Sequence, residues 1–271
     1  MPEGDTIHRS ARALDRALAG RTLIRFEASR LRHRPFPAAT VVVGAEARGK
    51  HCLVHFDDGR TLHTHMRMSG SWHLYRPGER WRKKPAAARV VLEVAGSDEV
   101  PGWVAVCFSP PVVELVARDA RGRDGVTDHL GPDLCRAGAD VDGAAVRLGR
   151  FSPAERPIGE ALLDQRIACG VGNVYKSEVC FACGLDPFTP TAEVDLDLRR
   201  RLLTTASALL RQNLDTRRRV TVAGEGLAVY GRAGAPCLRC ATPIASAQGG
   251  EAARVTYWCP TCQRRPSTVR G

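Results

Sequence analysis

The chain has 271 residues and carries 40 Lys and Arg against 29 Asp and Glu, a formal charge of +11 at neutral pH. That excess selects a polyanionic partner, nucleic acid ahead of an anionic membrane surface. No run of about 18 apolar residues is present, and the N-terminus lacks the basic-then-apolar layout of a signal peptide, so the composition excludes a membrane-spanning protein and predicts a cytoplasmic one of two ordinary domains.

The first predicted element is a helix. From "MPEGDTIHRSARAL" onward, Ile7, Ala11, Leu14 and Leu18 recur at four, three and four residues, one face of an amphipathic helix, with Asp5 and Gly20 as candidate caps. Pro2 and Glu3 stand just ahead of it. A methionine aminopeptidase leaves proline as a free N-terminus, and Pro2 reads either as the ordinary start of a chain or as a nucleophile, since a secondary amine can attack an aldehyde-level carbon to give a cationic iminium directly, an electron sink for a later elimination. The positive end of the helix dipole disfavours a nearby cation and so favours the neutral, nucleophilic amine. Glu3 reads either as the proton shuttle such an amine requires or as a carboxylate that meets the dipole.

Short β segments follow: "RTLIRFEA", "ATVVVGAEARGKHCLVHF", "RTLHTHMRMSGSWHLY", "ARVVLEVAG" and "WVAVCFS". Asp58-Gly59 predicts a type I′ hairpin turn, and strands at this spacing predict a sandwich or barrel over roughly the first 120 residues. Lys50, between Gly49 and His51, falls near a strand start, where its plain role is a solvated strand-end lysine.

From about Gly131 the β signal ends. "RPIGEALLDQRIACGVGNVYKSEVCFACGLDP" predicts two short helices around a Gly-rich turn, with Pro157 at a first helical position and Gly184 at a C-terminal cap. Gly170, Gly172 and Asn173 open the second of these, a place where backbone N–H groups and a side-chain amide hold a phosphate. Val194, Leu198, Leu202, Leu209 and Leu210 continue as a longer helix. The arginine runs 199–201 and 217–219 read as solvated faces. The class is α+β, with two domains.

Six of the ten cysteines (Cys52, Cys107, Cys135, Cys169, Cys180 and Cys183) are scattered through apolar stretches and read as reduced thiols. The other four, Cys237, Cys240, Cys259 and Cys262, form C-x2-C-x18-C-x2-C, the spacing of a four-thiolate structural zinc site on a β-hairpin rather than of two disulfides. Four thiolates close the coordination shell, so the chemistry lies elsewhere. Arg254 falls between the two pairs, where a hairpin tip presents it to a DNA backbone.

Taken in order, "MPEG", "RGK", "HMRMSGSW", "LGPD", "GVGNVYKSE", "VYGRAGAPC" and "YWCPTCQ" resemble the formamidopyrimidine-DNA glycosylase and endonuclease VIII family of base-excision repair enzymes over almost the whole chain. The resemblance implies an N-terminal β-sandwich with a leading helix (1–125), a helix-two-turn-helix domain (126–228) and a zinc-finger hairpin (229–271), with damaged DNA in the cleft between the halves. It implies Pro2 as the nucleophile on C1′, Glu3 as the acid/base that opens the sugar, and Lys50 as the lysine near the lesion phosphate. Asn173 and Arg254 match the phosphate-gripping residues, and Met68 the residue inserted where the damaged base has flipped out, with plain core as its alternative role.

"MPEG" is similar to the endonuclease VIII side, which acts on oxidised pyrimidines, and "RRRVTVAGEG" is short for the loop with which purine-specific members cover 8-oxoguanine. Thr6 replaces the glutamate usual there, and "ARDARGRDG" holds no clear arginine-phenylalanine wedge. The expected protein is a monomer with one structural zinc ion, associated with the nucleoid. The rival readings are a purine-specific glycosylase and a non-catalytic zinc protein that binds damaged DNA.

Overall fold

The computed structural model describes residues 2–97, 99–119, 125–216, 218–249 and 254–266. Arg217, most of the segment searched for a wedge (120–124) and the hairpin tip (250–253) lie outside the described residues. The chain divides into two compact units, Met1–His129 and Leu130–Gly271.

The first unit begins with helix α1 (Gly4–Leu18). Its predicted stripe is buried: Ile7, Ala11, Leu14 and Leu18 are each at most 2% exposed. The caps differ from expectation, because Glu3 is the N-cap and Asp5 lies buried in the first turn, while Ala19 caps the C-terminus and Gly20 follows at a φ of 73°. Eight strands follow: β1 (Leu23–Ala28), β2 (Val42–Arg48), β3 (His51–Phe56), β4 (Arg60–His65), β5 (Ser71–Tyr75), β6 (Ala88–Val94), β7 (Trp103–Phe108) and β8 (Val112–Ala117). They form two antiparallel four-stranded sheets, β1-β6-β7-β5 and β2-β3-β4-β8. Val54, Phe56 and Leu62 of one sheet, Val90, Leu92 and Ala105 of the other, and the stripe of α1 share one core, so the fold is the expected sandwich with a leading helix.

The turn at Asp58-Gly59 departs from the two-residue type I′ form. His55 pairs with Thr61, which leaves residues 57–59 as a three-residue loop, and of these only Gly59 adopts a positive φ, 86°. One left-handed residue after two right-handed ones is the alternative solution for a hairpin, and it needs glycine only at the last position.

The second unit is helical, with α2 (Val141–Phe151), α3 (Ile158–Ala161), α4 (Asn173–Ala182) and α5 (Leu196–Gln212), and ends in a hairpin of β9 (Ala245–Gly249) and β10 (Arg254–Trp258). Asp140 and Asp195 cap α2 and α5 by accepting from Gly143 N and Leu198 N, each at 2.8 Å. Pro157 proves to be the N-cap of α3 rather than its first residue, and Gly184, at a φ of 67°, follows the Cys183 cap of α4. Leu148, Ile158, Tyr175, Val179, Leu202 and Leu210 build the core of the helices. No helix among the described residues is long and apolar enough to cross a membrane.

Candidate active site and metal centre

Pro2 is half-buried and directly precedes Glu3. Glu3 turns the chain into α1 through extended backbone (φ −126°, ψ −174°), and its carbonyl accepts from Ile7 N at 3.0 Å. The carboxylate makes no capping bond, yet the residue is wholly buried. It lies one residue from Pro2 at the positive pole of α1, where the helix dipole favours a carboxylate over a cation.

Lys50 shares with Gly49 the tight turn from β2 to β3 and is half-buried. Beyond β4 the chain turns through Arg67, at a φ of 42°, and leaves Met68 68% exposed while Met66 is 3% exposed. Met66 is therefore the core methionine, and Met68 is the one available to a ligand. Gly70 holds this turn: its N–H donates to the Met66 carbonyl at 2.9 Å, and a Cβ there would lie 2.9 Å from Met66 Cα. Gly70→Ala is expected to cost about 1–3 kcal/mol, read as a lower urea midpoint, because the obstacle is backbone and cannot swing aside.

In the second unit Asn173 is the first residue of α4 and is 4% exposed. Its Nδ2 donates to the Val255 carbonyl at 2.8 Å, and its Oδ1 is buried without a partner. Lys176, also buried, donates from Nζ to Thr256 Oγ1 at 2.7 Å, so helix α4 holds strand β10 in place at two points. Arg254 is exposed at the start of β10 and lines a cavity of about 390 Å³ together with Lys176, Thr256, Arg156 and Phe188. The positive groups line this cavity, and the buried amide ties α4 to the same strand at Val255.

The four late cysteines converge as their spacing predicts. Sγ atoms of Cys237 and Cys262 lie 3.9 Å apart, those of Cys240 and Cys259 3.5 Å, and all four fall within 4.8 Å of one another. Four sulfurs about 2.3 Å from one ion would be about 3.8 Å from each other, so the arrangement fits a tetrahedral metal site. The N–H groups of Arg239 and Cys262 point at Cys237 Sγ and Cys259 Sγ, each at 3.4 Å, which supports thiolates there. No cysteine is in a disulfide, and of the six scattered ones five are buried.

Two groups that the sequence reading passed over stand out. Glu178, the last residue of "GVGNVYKSE", is buried and accepts from three successive backbone N–H groups. His51, His63 and His65 share one face of the β2-β3-β4-β8 sheet; the i,i+2 pair in "HTH" was the available signal.

Residues 1–104 match the family model of the formamidopyrimidine-DNA glycosylase N-terminal domain, and residues 130–223 that of the same glycosylase's H2TH domain. The chain is 43% identical over 277 residues to the probable endonuclease 8 2 of Streptomyces coelicolor, covering 100% of this chain and 97% of that protein. It is 40% identical over 272 residues to the endonuclease 8 2 of Mycobacterium tuberculosis (97% and 100% covered), and 37% identical over 268 residues to the DNA-(apurinic or apyrimidinic site) lyase of Mycolicibacterium smegmatis (97% and 99%). The crystal structure of Lactococcus lactis formamidopyrimidine-DNA glycosylase with DNA containing an abasic site matches in fold, with a TM-score of 0.78 at 21% identity over 97% of this chain and 100% of that one. Matched by two domain models of one family and by relatives across its length, the chain belongs to the formamidopyrimidine-DNA glycosylase and endonuclease 8 family.

Proposed function

We propose that this protein is a bifunctional DNA glycosylase and AP lyase of base-excision repair that removes oxidised pyrimidines. The observation that carries the reading is Pro2 at the head of α1 beside the buried, non-capping Glu3. Once Met1 is removed, the Pro2 nitrogen attacks C1′ of the damaged nucleotide as the base leaves, and Glu3 moves the proton that opens the sugar. The resulting iminium acidifies C2′. Loss of that proton breaks the 3′ phosphodiester, a second elimination breaks the 5′ one, and a one-nucleotide gap with phosphates at both ends remains.

Lys50 and Arg254 grip phosphates of the lesion strand, and Asn173 offers them the second N–H of the amide already bonded to Val255. Exposed Met68 enters the stack to offset the few kcal/mol, roughly, that base flipping costs. Cys237, Cys240, Cys259 and Cys262 hold one structural zinc ion. Residues 1–125, 126–228 and 229–271 act as catalytic, helix-two-turn-helix and zinc-hairpin segments of a monomer working on nucleoid DNA in the cytoplasm. The names of the relatives support the glycosylase and lyase activities. The pyrimidine preference is supported by the compact turn at 221–226, closed by Thr221 N donating to Gly226 O at 2.7 Å, which leaves no long loop.

Untagged protein lacking Met1 is expected to form a borohydride-trapped covalent complex with duplexes carrying an abasic site or 5-hydroxyuracil. Retaining Met1 should abolish trapping; undiminished nicking with Met1 retained overturns Pro2 as nucleophile, and purely reversible binding by the processed protein overturns the enzyme reading. Thymine glycol is expected to be cut faster than 8-oxoguanine opposite cytosine, and the reverse order overturns the pyrimidine assignment.

A further inference from the structure

We infer that Glu114 and His63 form a relay that keeps His51 Nε2 a proton acceptor beside Lys50, so that a DNA phosphate docking at Lys50 brings one proton onto His51. The inference rests on the placement of Lys50 at a phosphate proposed above.

The register of the sheet makes the relay. His63 on β4 lies opposite Glu114 on β8, and His51 on β3 lies opposite His65 on β4, diagonal to His63. Glu114 Oε2 is 2.9 Å from His63 Nδ1, and His63 Nε2 is 2.8 Å from His51 Nδ1. A carboxylate only accepts, so His63 carries its proton on Nδ1. The Nε2 of a neutral His63 must then accept, and His51 Nδ1 donates to it. A neutral His51 is left with a bare Nε2, which bonds to no described group. Both ends of the chain are fixed, because one end is a carboxylate and the other a base.

What surrounds His51 is positive or able to become so. Lys50 precedes it in the turn, the His65 ring stands edge-on at 4.9 Å, and the His129 ring lies at 6.0 Å. Arg48 is its partner on β2, and Arg67 donates its backbone N–H to His65 Nδ1 at 3.2 Å. Burial first, and then the potential of His63, His65, His129 and Lys50, holds His51 down to about 3. Burial, followed by His63, Lys50 and Arg67, likewise holds His65 down to about 4. An arriving phosphodiester reverses the sign of that potential. The proton comes from solvent, forms a bond to Nε2, and leaves an imidazolium whose charge is shared through Nδ1–H and His63 with Glu114. Because binding raises the pKa, affinity rises as pH falls through the value in the complex and levels off near the free value of about 3.

The test is calorimetric titration of a duplex containing a tetrahydrofuran abasic analogue, at pH 5.5, in buffers of widely different ionisation enthalpy. The native protein is expected to take up roughly one proton per complex. His51→Asn should remove that uptake. Glu114→Gln, an isosteric change on a side chain that is 53% exposed, keeps the strand intact while removing the charge that offsets the imidazolium, and should reduce uptake by more than half. Native protein that prefers the analogue duplex and traps on abasic DNA, yet exchanges no proton or exchanges as much after Glu114→Gln, overturns the relay and leaves the glycosylase standing. Failure to prefer the analogue over undamaged duplex removes both.

Discussion

Stripping the metal from Cys237, Cys240, Cys259 and Cys262 is expected to unfold the hairpin while the helical core survives. The core the segment packs on is small: it consists of Phe181 of α4, Ala228, Val229 and Ile244 besides two of the ligands themselves, Cys237 and Cys259. Six buried groups do not repay the ordering of some 30 residues at about 1–2 kcal/mol of backbone entropy each, whereas a four-thiolate zinc site contributes about 10–16 kcal/mol in finger peptides. The helices hold a far larger core from Leu134 to Leu214 and do not depend on the ion. Chelation should therefore shift the emission of Trp258, whose ring stands edge-on to Phe188 at 4.9 Å, and release the bonds from Asn173 and Lys176 to β10. Most of the helical circular dichroism should remain. Arg254 starts β10, so affinity for damaged duplex should fall by at least a hundredfold and return on adding zinc. A site built of two disulfides would respond to reductant and ignore the chelator. Unchanged Trp258 emission and DNA affinity after complete chelation would refute the metal centre.

The ease with which different parts were read follows from how local their causes are. The α1 stripe repeats within four residues and the cysteine pairs within three, so both were visible in the sequence, as were the sandwich strands with their alternating or continuous apolar runs. Strand β8 was not predicted: in "VVELVA" no position is buried, Glu114 and Ala117 being exposed and the other four half-buried, and only pairing with β4 defines it. Helix α2 hides behind two glycines, Gly143 and Gly149, which lower helix propensity by about 1 kcal/mol each and interrupt its apolar face. At the candidate site, Pro2, Glu3 and the cysteines were legible as residue types whose chemistry is specific. Met68 was singled out by the resemblance alone, with plain core as its alternative, and it is the turn at Arg67 that leaves it exposed while Met66 is buried. The histidine relay depends on sheet register, which sequence does not encode directly.

Glu178→Gln is expected to destabilise the second unit by about 2–5 kcal/mol, the cost of leaving buried N–H donors without an acceptor. The Glu178 carboxylate, on α4 and 1% exposed, accepts from Ala228 N at 2.7 Å, Val229 N at 3.0 Å and Tyr230 N at 2.8 Å, and from the Thr221 hydroxyl. Three consecutive N–H groups converging on one anion make a nest, and here the anion is supplied by the protein's own helix. Glutamine keeps the volume but turns one acceptor into a donor, which leaves N–H groups facing an NH₂ at roughly 1–3 kcal/mol for each unmet donor. Against a total stability of about 5–15 kcal/mol that loss is large. Glu178→Asp retains the charge and shortens the reach by one carbon, so it should fall between the native protein and the glutamine variant. The measurement is the urea midpoint together with hydrogen exchange at residues 228–230, where protection should collapse before that of Leu202 or Leu210. A glutamine variant within about 1 kcal/mol of native, the worth of one ordinary hydrogen bond, would mean that the nest is satisfied by an oxygen alone and that the charge is incidental. The stronger expectation follows from geometry: four donors surround two oxygens, the group is sealed from solvent, and no neutral isostere supplies acceptors at both ends.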